Sequence, residues 1–255
     1  MNDAQAQDLG AQSPRREDVI IETRGLVKTY GLLPVLRKLD VDILRGQFVA
    51  LLGPNGSGKS TLLRLLSGLS RPTAGRITIG GWELPKEAAA VRAQIGLVSH
   101  KPLVYENLTA RENLLLCGRL YHVPNLEARV EEMLTKVGLE KRAHDLTRGF
   151  SRGMYQRLTI ARALLHDPQV LLFDEPYTGL DQNAAAILDE LLLAAHDGQR
   201  TIVMATHQLD RAAQLTDRVV ILSRGKIAYD RASAELDTLQ LAADYAEVTG
   251  MATAR

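Results

Sequence analysis

The chain has 255 residues, of which 45% are hydrophobic, so it can bury a substantial core as one large domain or as one domain with an inserted subdomain. Its 31 basic and 30 acidic residues leave a formal net charge of +1, which excludes a strong overall field towards nucleic acid or an anionic membrane. The single cysteine, Cys117, excludes an intramolecular disulfide and disfavours a zinc site made of cysteines.

The N-terminal segment 1–18 is polar and lacks the apolar centre of a secretory signal peptide, so we expect a mobile tail. No stretch of the chain reaches the ~18 uninterrupted apolar residues that a membrane-spanning helix needs. The nearest, 187–195, is interrupted by Asp189 and Glu190. If the protein serves a membrane, a separate subunit must therefore cross it.

Three strands are predicted next along the chain. Alternating polar and apolar residues at 19–30 and 35–43 indicate antiparallel strands, and the apolar run within 46–53 indicates a buried strand. A helix is expected soon afterwards. Its evidence is the helical spacing of four leucines, Leu62, Leu65, Leu66 and Leu69.

The loop between that strand and that helix is rich in glycine and ends in a lysine followed by two hydroxyl residues. Glycines let backbone N–H groups converge on phosphate oxygens, Lys59 can reach the outer phosphates, and the Ser60 hydroxyl can bind Mg²⁺. The helix N-terminus adds a partial positive charge. The pattern predicts a site for ATP or GTP, against the alternative of a glycine-rich turn that binds nothing. The candidate residues are Gly53, Pro54, Asn55, Gly56, Ser57, Gly58, Lys59, Ser60 and Thr61.

The rest of the chain alternates between strand and helix patterns. Strands are predicted at 75–81, 95–99, 169–173, 201–206 and 218–223, and helices near 181–197 and 208–216. This alternation implies a largely parallel, doubly wound sheet.

A helical insertion is predicted at about 101–157. Within it, the helical spacing of 109–138 is divided by Pro124, which breaks a helix. The expected buried positions are Leu114, Leu115, Val130, Met133, Leu134 and Val137.

The C-terminal segment 232–255 has an amphipathic pattern. The predicted apolar stripe consists of Leu236, Leu239, Ala243 and Ala246. The segment is rich in alanine and ends without a helix cap, so a packed helix and a frayed tail are both compatible with it.

Two acids, Asp174 and Glu175, directly follow the continuous apolar strand that ends at Phe173. Ligands of open α/β sheets bind beyond the carboxyl ends of the strands, so these acids are expected near the phosphate loop if the strands are neighbours. Asp174 can hold Mg²⁺, and Glu175 can orient or deprotonate the water that attacks the γ-phosphate. A solvated acidic turn is the alternative.

The segment 150–157 predicts a helix capped by Ser151, with Gly153 in its first turn, and offers a second place for a phosphate. Together with the phosphate loop and the acidic strand, it resembles the signature segment of the ATP-binding-cassette (ABC) ATPase family. The resemblance covers about 19–231. It implies an α/β P-loop NTPase with a RecA-like core sheet, an antiparallel β subdomain and the helical insertion.

The resemblance also implies roles for individual residues. Tyr30 matches the aromatic residue that stacks on adenine, and Asp181 lies in the loop that crosses the dimer interface. His207, at the end of an apolar strand, matches the histidine that senses the γ-phosphate. Catalytic roles are implied for Glu175, His207 and Lys59, and Mg²⁺ binding for Ser60 and Asp174.

In this family two ATPase domains form a head-to-tail dimer, and each ATP lies between the phosphate loop of one subunit and the equivalents of Ser151 and Gly153 of the other. Hydrolysis opens the dimer, and the motion passes to separate membrane subunits. The resemblance therefore implies ATP and Mg²⁺ as cofactors, a homodimer of ATPase domains, a separate integral membrane permease and a peripheral location on the cytoplasmic face of the cell membrane. No direct nucleic acid partner is expected.

The chain departs from the family at two places. His100 stands where a glutamine usually approaches Mg²⁺ and the attacking water, which puts that contact in doubt. Arg152 and Met154 replace the commonest glycine and glutamine of the signature. These departures, with the segments 98–100, 108–114 and 174–181, resemble the haem-exporter ATPases of bacterial cytochrome c maturation, which work with haem-handling membrane proteins.

Several functions compete with haem export. The cargo of such an exporter could instead be a drug, a lipid or a polysaccharide, because membrane subunits select the cargo. A soluble ABC ATPase acting on ribosomes or DNA is disfavoured, since the chain shows no second cassette, coiled coil, zinc module or basic stripe. A P-loop kinase would leave the signature and His207 without a role.

Overall fold

A computed structural model describes residues 18–99, 103–197 and 199–250. At Glu235 it describes the main chain but not the side chain. The strands in these ranges are β1 (Val19–Tyr30), β2 (Leu33–Leu44), β3 (Phe48–Leu52), β4 (Ala74–Ile79), β5 (Trp82–Leu84), β6 (Ile95–Val98), β7 (Val170–Asp174), β8 (Thr201–Ala205), β9 (Arg218–Ser223) and β10 (Lys226–Ala232). The helices are α1 (Lys59–Leu66), α2 (Ala88–Ala93), α3 (Ala110–Leu120), α4 (Leu126–Lys136), α5 (Arg152–Leu164), α6 (Gln182–Asp197), α7 (Leu209–Leu215) and α8 (Thr238–Thr249).

Within the described residues, the larger sheet has six strands in the order β10-β9-β3-β8-β7-β6. Its inner strands pair in parallel, and only β10 at one edge is antiparallel to its neighbour. Both faces are covered: in β7, Val170 and Leu172 pack on one side while Leu171 and Phe173 pack on the other. The predicted α/β class and largely parallel sheet are therefore confirmed.

A second, antiparallel sheet has the order β2-β1-β4-β5 in the part of the chain that the structure describes. Its inner face shares one apolar core with α1, α2 and one face of the larger sheet. Helix α1 is thus enclosed between the two sheets, with Leu62, Leu65 and Leu66 buried. The predicted antiparallel β subdomain is confirmed, and it lies against the helix that follows the phosphate loop.

The helices α3 and α4 lie in the predicted insertion. Pro124 lies between them, as expected, and α3 begins with a capping box in which Thr109 and Glu112 satisfy each other's backbone N–H groups. All six predicted buried positions are at most 9% exposed. Residue 157, the expected end of the insertion, lies inside α5, which continues to Leu164 and packs on β6 and α6.

Three predicted apolar positions are wrong. Leu69 is 57% exposed, because α1 ends at Leu66 and the chain has left the helix axis by then. In the C-terminal segment the structure forms helix α8, but Leu239 is 82% exposed and Ala243 is exposed as well. The face of α8 that packs on the core contains Leu241, Tyr245 and Val248 instead.

Three short or edge elements were not predicted: β5, α2 and β10. The domain limits 1–18, 19–231 and 232–255 remain predictions, and residues 1–17 and 251–255 lie outside the described ranges. None of the helices in those ranges is long and apolar enough to cross a bilayer.

Candidate functional site

The phosphate loop joins β3, whose five residues are all buried, to α1. Gly53 has a φ of +147°, and a Cβ there would lie 2.2 Å from the carbonyl oxygen of Leu222. Gly58 has a φ of +112°, and a Cβ there would lie 2.7 Å from the side chain of Leu36 on β2. Only glycine fits at these two positions, so the loop is shaped by close approach of β9 and β2.

Lys59 is the first residue of α1 and is only 6% exposed. Its ammonium donates a hydrogen bond to the carbonyl oxygen of Gly53 at 2.6 Å and lies 3.7 Å from Glu175 Oε1. A buried ammonium needs such partners, because its desolvation is costly. The same contacts hold Lys59 Nζ inside the loop, where the outer phosphates of a nucleotide would bind.

Asp174 ends β7, and Ser60 Oγ donates a hydrogen bond to its Oδ1 at 2.8 Å. The strands β7 and β3 are not neighbours, since β8 lies between them. The expectation that the acids reach the phosphate loop is nevertheless met, because α1 packs against β7. Ser60 and Asp174, the two predicted Mg²⁺ ligands, are thus brought together.

Glu175 follows with a φ of +53°, an uncommon conformation for a residue with a side chain. Its N–H donates to the carbonyl oxygen of Ala205, the last residue of β8, at 2.9 Å. Glu175 Oε2 lies 2.7 Å from Nδ1 of His207, which follows β8. One carboxylate therefore contacts both Lys59 and His207, so the three predicted catalytic residues converge.

The signature segment lies across a cavity from this site. Ser151 caps α5 by accepting a hydrogen bond from the Met154 N–H at 3.3 Å. Arg152 and Glu175 both line the cavity, which has a volume of about 420 Å³. A Cβ on Gly153 would lie 3.0 Å from that of Ala184, so the start of α5 packs closely on α6.

Other predicted site residues lie further from the carboxylates. Asp181 caps α6 through the Ala184 N–H at 2.8 Å. Tyr30 ends β1 in the hairpin whose other strand contacts Gly58. The residue is 47% exposed, and the Lys28 ammonium lies 4.7 Å from the centroid of its ring. His100 lies outside the described residues.

The side chains present fit a nucleotide phosphate chain with Mg²⁺. Ser57 Oγ is buried without a hydrogen-bond partner inside the loop, which is the kind of group that a phosphate oxygen would satisfy. Ser60 and Asp174 supply oxygen ligands, which Mg²⁺ prefers, and Mg²⁺ is usually bound by one or two protein ligands plus phosphates and water. No cluster of three or more metal-ligating side chains occurs in the described ranges.

Sequence reasoning missed three residues beside the site: Tyr177, Asp189 and Arg211. They form a hydrogen-bonded network between the loop after β7, helix α6 and helix α7. The available signal was Asp189 itself, an acid within the apolar stretch 187–195.

Comparison with known proteins gives one family. The model of the ABC transporter family matches residues 36–178. Daunorubicin resistance ATP-binding protein DrrA3 of Streptomyces coeruleorubidus is 38% identical over 221 residues, which cover 86% of this chain and 70% of that protein. Nod factor export ATP-binding protein I of Sinorhizobium fredii is 39% identical over 241 residues, which cover 93% and 70%.

Solved structures share the fold along nearly the whole chain. An ATP-binding subunit of an ABC transporter superposes with a TM-score of 0.82 at 32% identity, covering 90% of this chain and 99% of that one. The ATP-binding cassette MJ0796, in a dimeric post-hydrolysis state bound to ADP and Pi, superposes with a TM-score of 0.78 at 28% identity, covering 84% and 99%.

Proposed function

Because this chain belongs to the ABC transporter family as an ATP-binding subunit, we propose that it hydrolyses ATP between two copies of itself to drive export through a separate membrane protein. ATP hydrolysis coupled to transport follows from the family. The observation that carries the assignment to particular residues is the convergence of Lys59, Glu175 and His207 beside the Ser60–Asp174 pair. A glycine-rich turn that binds nothing would have no use for this arrangement.

In the proposed reaction the backbone N–H groups of the loop and Lys59 Nζ bind the β- and γ-phosphates. Ser60 and Asp174 would hold Mg²⁺, whose charge neutralises that of the phosphates. Glu175 takes the proton of the water that attacks the γ-phosphorus, and its carboxylate is oriented for this by His207 Nδ1 at 2.7 Å. Tyr30 would stack on adenine, and His100 would stand near the attacking water.

The proposed dimer completes each site with the other subunit's signature segment. Ser151 and Gly153 at the N-terminus of α5 would bind the γ-phosphate across the interface, since helix N-termini favour anions. Asp181 would link the two sites. The dimeric state of the cassette MJ0796 supports this arrangement by homology.

The test of the catalytic assignment is Glu175→Gln, which keeps the size of the side chain but removes the base. We expect the turnover of ATP to fall by at least about 100-fold while ATP binding is retained. Steady-state phosphate release and nucleotide titration measure the two quantities. Glu190→Gln, the same change at an exposed position of α6, is the matched control. Normal turnover in the Glu175→Gln protein would remove the assignment.

Two cargo classes follow from different observations. The resemblance to haem-exporter ATPases favours haem and a role in cytochrome c maturation, with haem-handling membrane partners. The names of the two relatives above, for daunorubicin resistance and Nod factor export, favour the alternative of a drug, lipid or polysaccharide. With either cargo, we propose a peripheral location on the cytoplasmic face of the cell membrane.

The cargo hypotheses are separated by purifying the detergent-solubilised complex through a tag on this chain and identifying its subunits by mass spectrometry. A haem-handling membrane protein in the complex would support haem export. A different integral membrane protein would support the alternative cargo, and the absence of any membrane protein would contradict the exporter proposal.

A further inference from the structure

Asp189, on α6, accepts hydrogen bonds from two side chains that belong to other elements. The Tyr177 hydroxyl donates to its Oδ1 at 2.6 Å. Arg211 Nε, on α7, lies 3.0 Å from the same oxygen and 3.3 Å from Oδ2. The guanidinium of Arg211 also lies over the ring of Tyr177, 4.4 Å from its centroid. The three side chains therefore form a closed network, in which each contacts the other two.

The network is largely shielded from water, so water competes little for its hydrogen bonds. Tyr177 is 4% exposed and belongs to the largest apolar cluster, and the side chains of Asp189 and Arg211 are each about three-quarters buried. Burial, aided by the hydrogen bond to Asp189, raises the pKa of Tyr177, so its hydroxyl remains a donor at neutral pH. The hydrogen bond from Arg211 to Asp189 raises the pKa of the arginine.

The two residues that donate to Asp189 are close in sequence to Glu175 and His207. Tyr177 is two residues after Glu175. On α7, Arg211 Nη1 donates to Gln208 Oε1 at 2.8 Å, and Gln208 directly follows His207. The segments that follow Glu175 and His207 are thus both attached to one carboxylate, that of Asp189.

Glu175 needs such an attachment because its backbone is in the left-handed region. A residue with a side chain stays there only where surrounding contacts impose the conformation. Two backbone hydrogen bonds contribute: the Glu175 N–H donates to Ala205, and the Thr178 N–H donates to the Glu175 carbonyl oxygen at 3.2 Å. The buried ring and bonded hydroxyl of Tyr177 hold the next turn of the same loop.

We propose that Tyr177, Asp189 and Arg211 are positioning residues that hold Glu175 against His207 for ATP hydrolysis. They do not touch the reacting atoms. The proposal rests on the proposed catalytic roles of Glu175 and His207. It predicts that weakening the network lowers the rate of the chemical step without weakening the binding of ATP.

The test uses the whole chain with either Tyr177→Phe or Asp189→Asn, each of which nearly keeps the size of its side chain. We expect kcat for ATP with Mg²⁺ to fall by about 10- to 100-fold, the effect of small misplacement of a catalytic group. KM should stay within about twofold of wild type, since the phosphate loop is unchanged. In a His207→Ala background, the same changes should cause little further loss, because the contact that they support is already absent.

Asp230→Asn is the matched control. Asp230 lies on the edge strand β10, far along the sheet from Glu175, and its carboxylate accepts two 2.6 Å hydrogen bonds from Arg218 on β9. Removing the charge of this carboxylate should therefore leave kcat unchanged. Thermal melting of every variant checks folding. If Asp189→Asn does not fold, Tyr177→Phe, which removes only a hydroxyl from the buried ring, decides.

The outcomes separate this proposal from the function on which it rests. Unchanged kcat in the network variants, with turnover lost in Glu175→Gln, would overturn the positioning role alone. A lower melting temperature with unchanged kcat would make the network merely structural. If a network variant lowers kcat by the same factor in the His207→Ala background as in the wild type, the network acts elsewhere than on the contact between Glu175 and His207. Normal turnover in Glu175→Gln would instead overturn the proposed catalytic role. If His207→Ala has no measurable turnover, kcat and KM of the single variants decide.

Discussion

At the scale of single residues, the site combines a strained backbone conformation at Glu175 with side-chain contacts that fix the position of its carboxylate. The left-handed conformation of Glu175 costs about 1–3 kcal/mol for a residue with a side chain. It directs the carboxylate towards Lys59 and His207, which lie on different elements. The position of the carboxylate is therefore maintained by contacts around it, and not by the local preference of Glu175.

His166 illustrates a residue whose environment predicts a dependence on pH. It stacks on Tyr121, with ring centroids 3.9 Å apart, and its burial lowers its pKa below the ordinary 6.5, although the hydrogen bond to the Ile95 carbonyl opposes this. The unfolded chain therefore takes up a proton at higher pH than the folded protein does. The contribution of His166 to the free energy of unfolding is full above its unfolded pKa and is lost as the pH falls towards its folded pKa.

We expect His166→Gln to reduce the loss of stability between neutral and mildly acidic pH. Urea denaturation at a series of pH values measures the free energy of unfolding for wild type and variant. His144→Gln, the same change at an exposed histidine, is the matched control for the substitution. An unchanged pH dependence in His166→Gln would contradict the proposed effect of burial.

At the scale of elements, the C-terminal helix α8 shows how packing selects one face. Leu241 is fully buried against α7 and β9, whereas Leu239, two residues earlier, is exposed. Tyr229 on β10 fastens the helix through a 2.7 Å hydrogen bond to Asp244. Burial, and secondarily the charge of Glu175, raise the pKa of Tyr245.

Leu241→Ala should lower the free energy of unfolding by about 2–5 kcal/mol, because it leaves a cavity in the core. The matched variant Leu239→Ala should change it by less than about 0.5 kcal/mol, since that side chain already contacts water. Chemical denaturation of both proteins makes the comparison. Equal losses would mean that the two leucines are equally buried in solution.

At the scale of the whole molecule, the site is open on the side where Ser151 and Arg152 are exposed. The near-zero net charge gives no strong general repulsion between identical copies, so their association depends on local contacts. The partial positive charge at the N-terminus of α5 and the phosphates of ATP are complementary in charge. Dimerisation should therefore depend on ATP.

We expect Glu175→Gln with Mg²⁺ and ATP to form a dimer, and the same protein without nucleotide to be a monomer. Light scattering coupled to size-exclusion chromatography measures the mass. Adding Ser151→Asp should abolish the ATP-dependent dimer, because aspartate still caps α5 but repels the partner's phosphate. A dimer that persists in the Glu175→Gln/Ser151→Asp protein would exclude the proposed interface.

Short-range patterns in the sequence were enough to predict most of the elements. The phosphate loop, the strand before the acidic pair and the break at Pro124 are encoded by neighbouring residues, so their signals are local. The edge strand β10 follows a turn at Arg224 and Gly225, both with positive φ, and this turn signal was missed. The elements β5 and α2 are too short, at three and six residues, for periodicity to reveal them.

The sequence by itself indicated the family, a site for a nucleotide and most of the strands and helices along the chain, because each depends on residue types at fixed spacing. Only the tertiary structure decided that Glu175 contacts His207 across 32 positions of the chain and that Asp189 connects the segments after both. It also decided that α8 buries Leu241 and not Leu239. Such contacts depend on how β7, β8, α6 and α7 are arranged in space, and spacing along the chain carries no record of that arrangement.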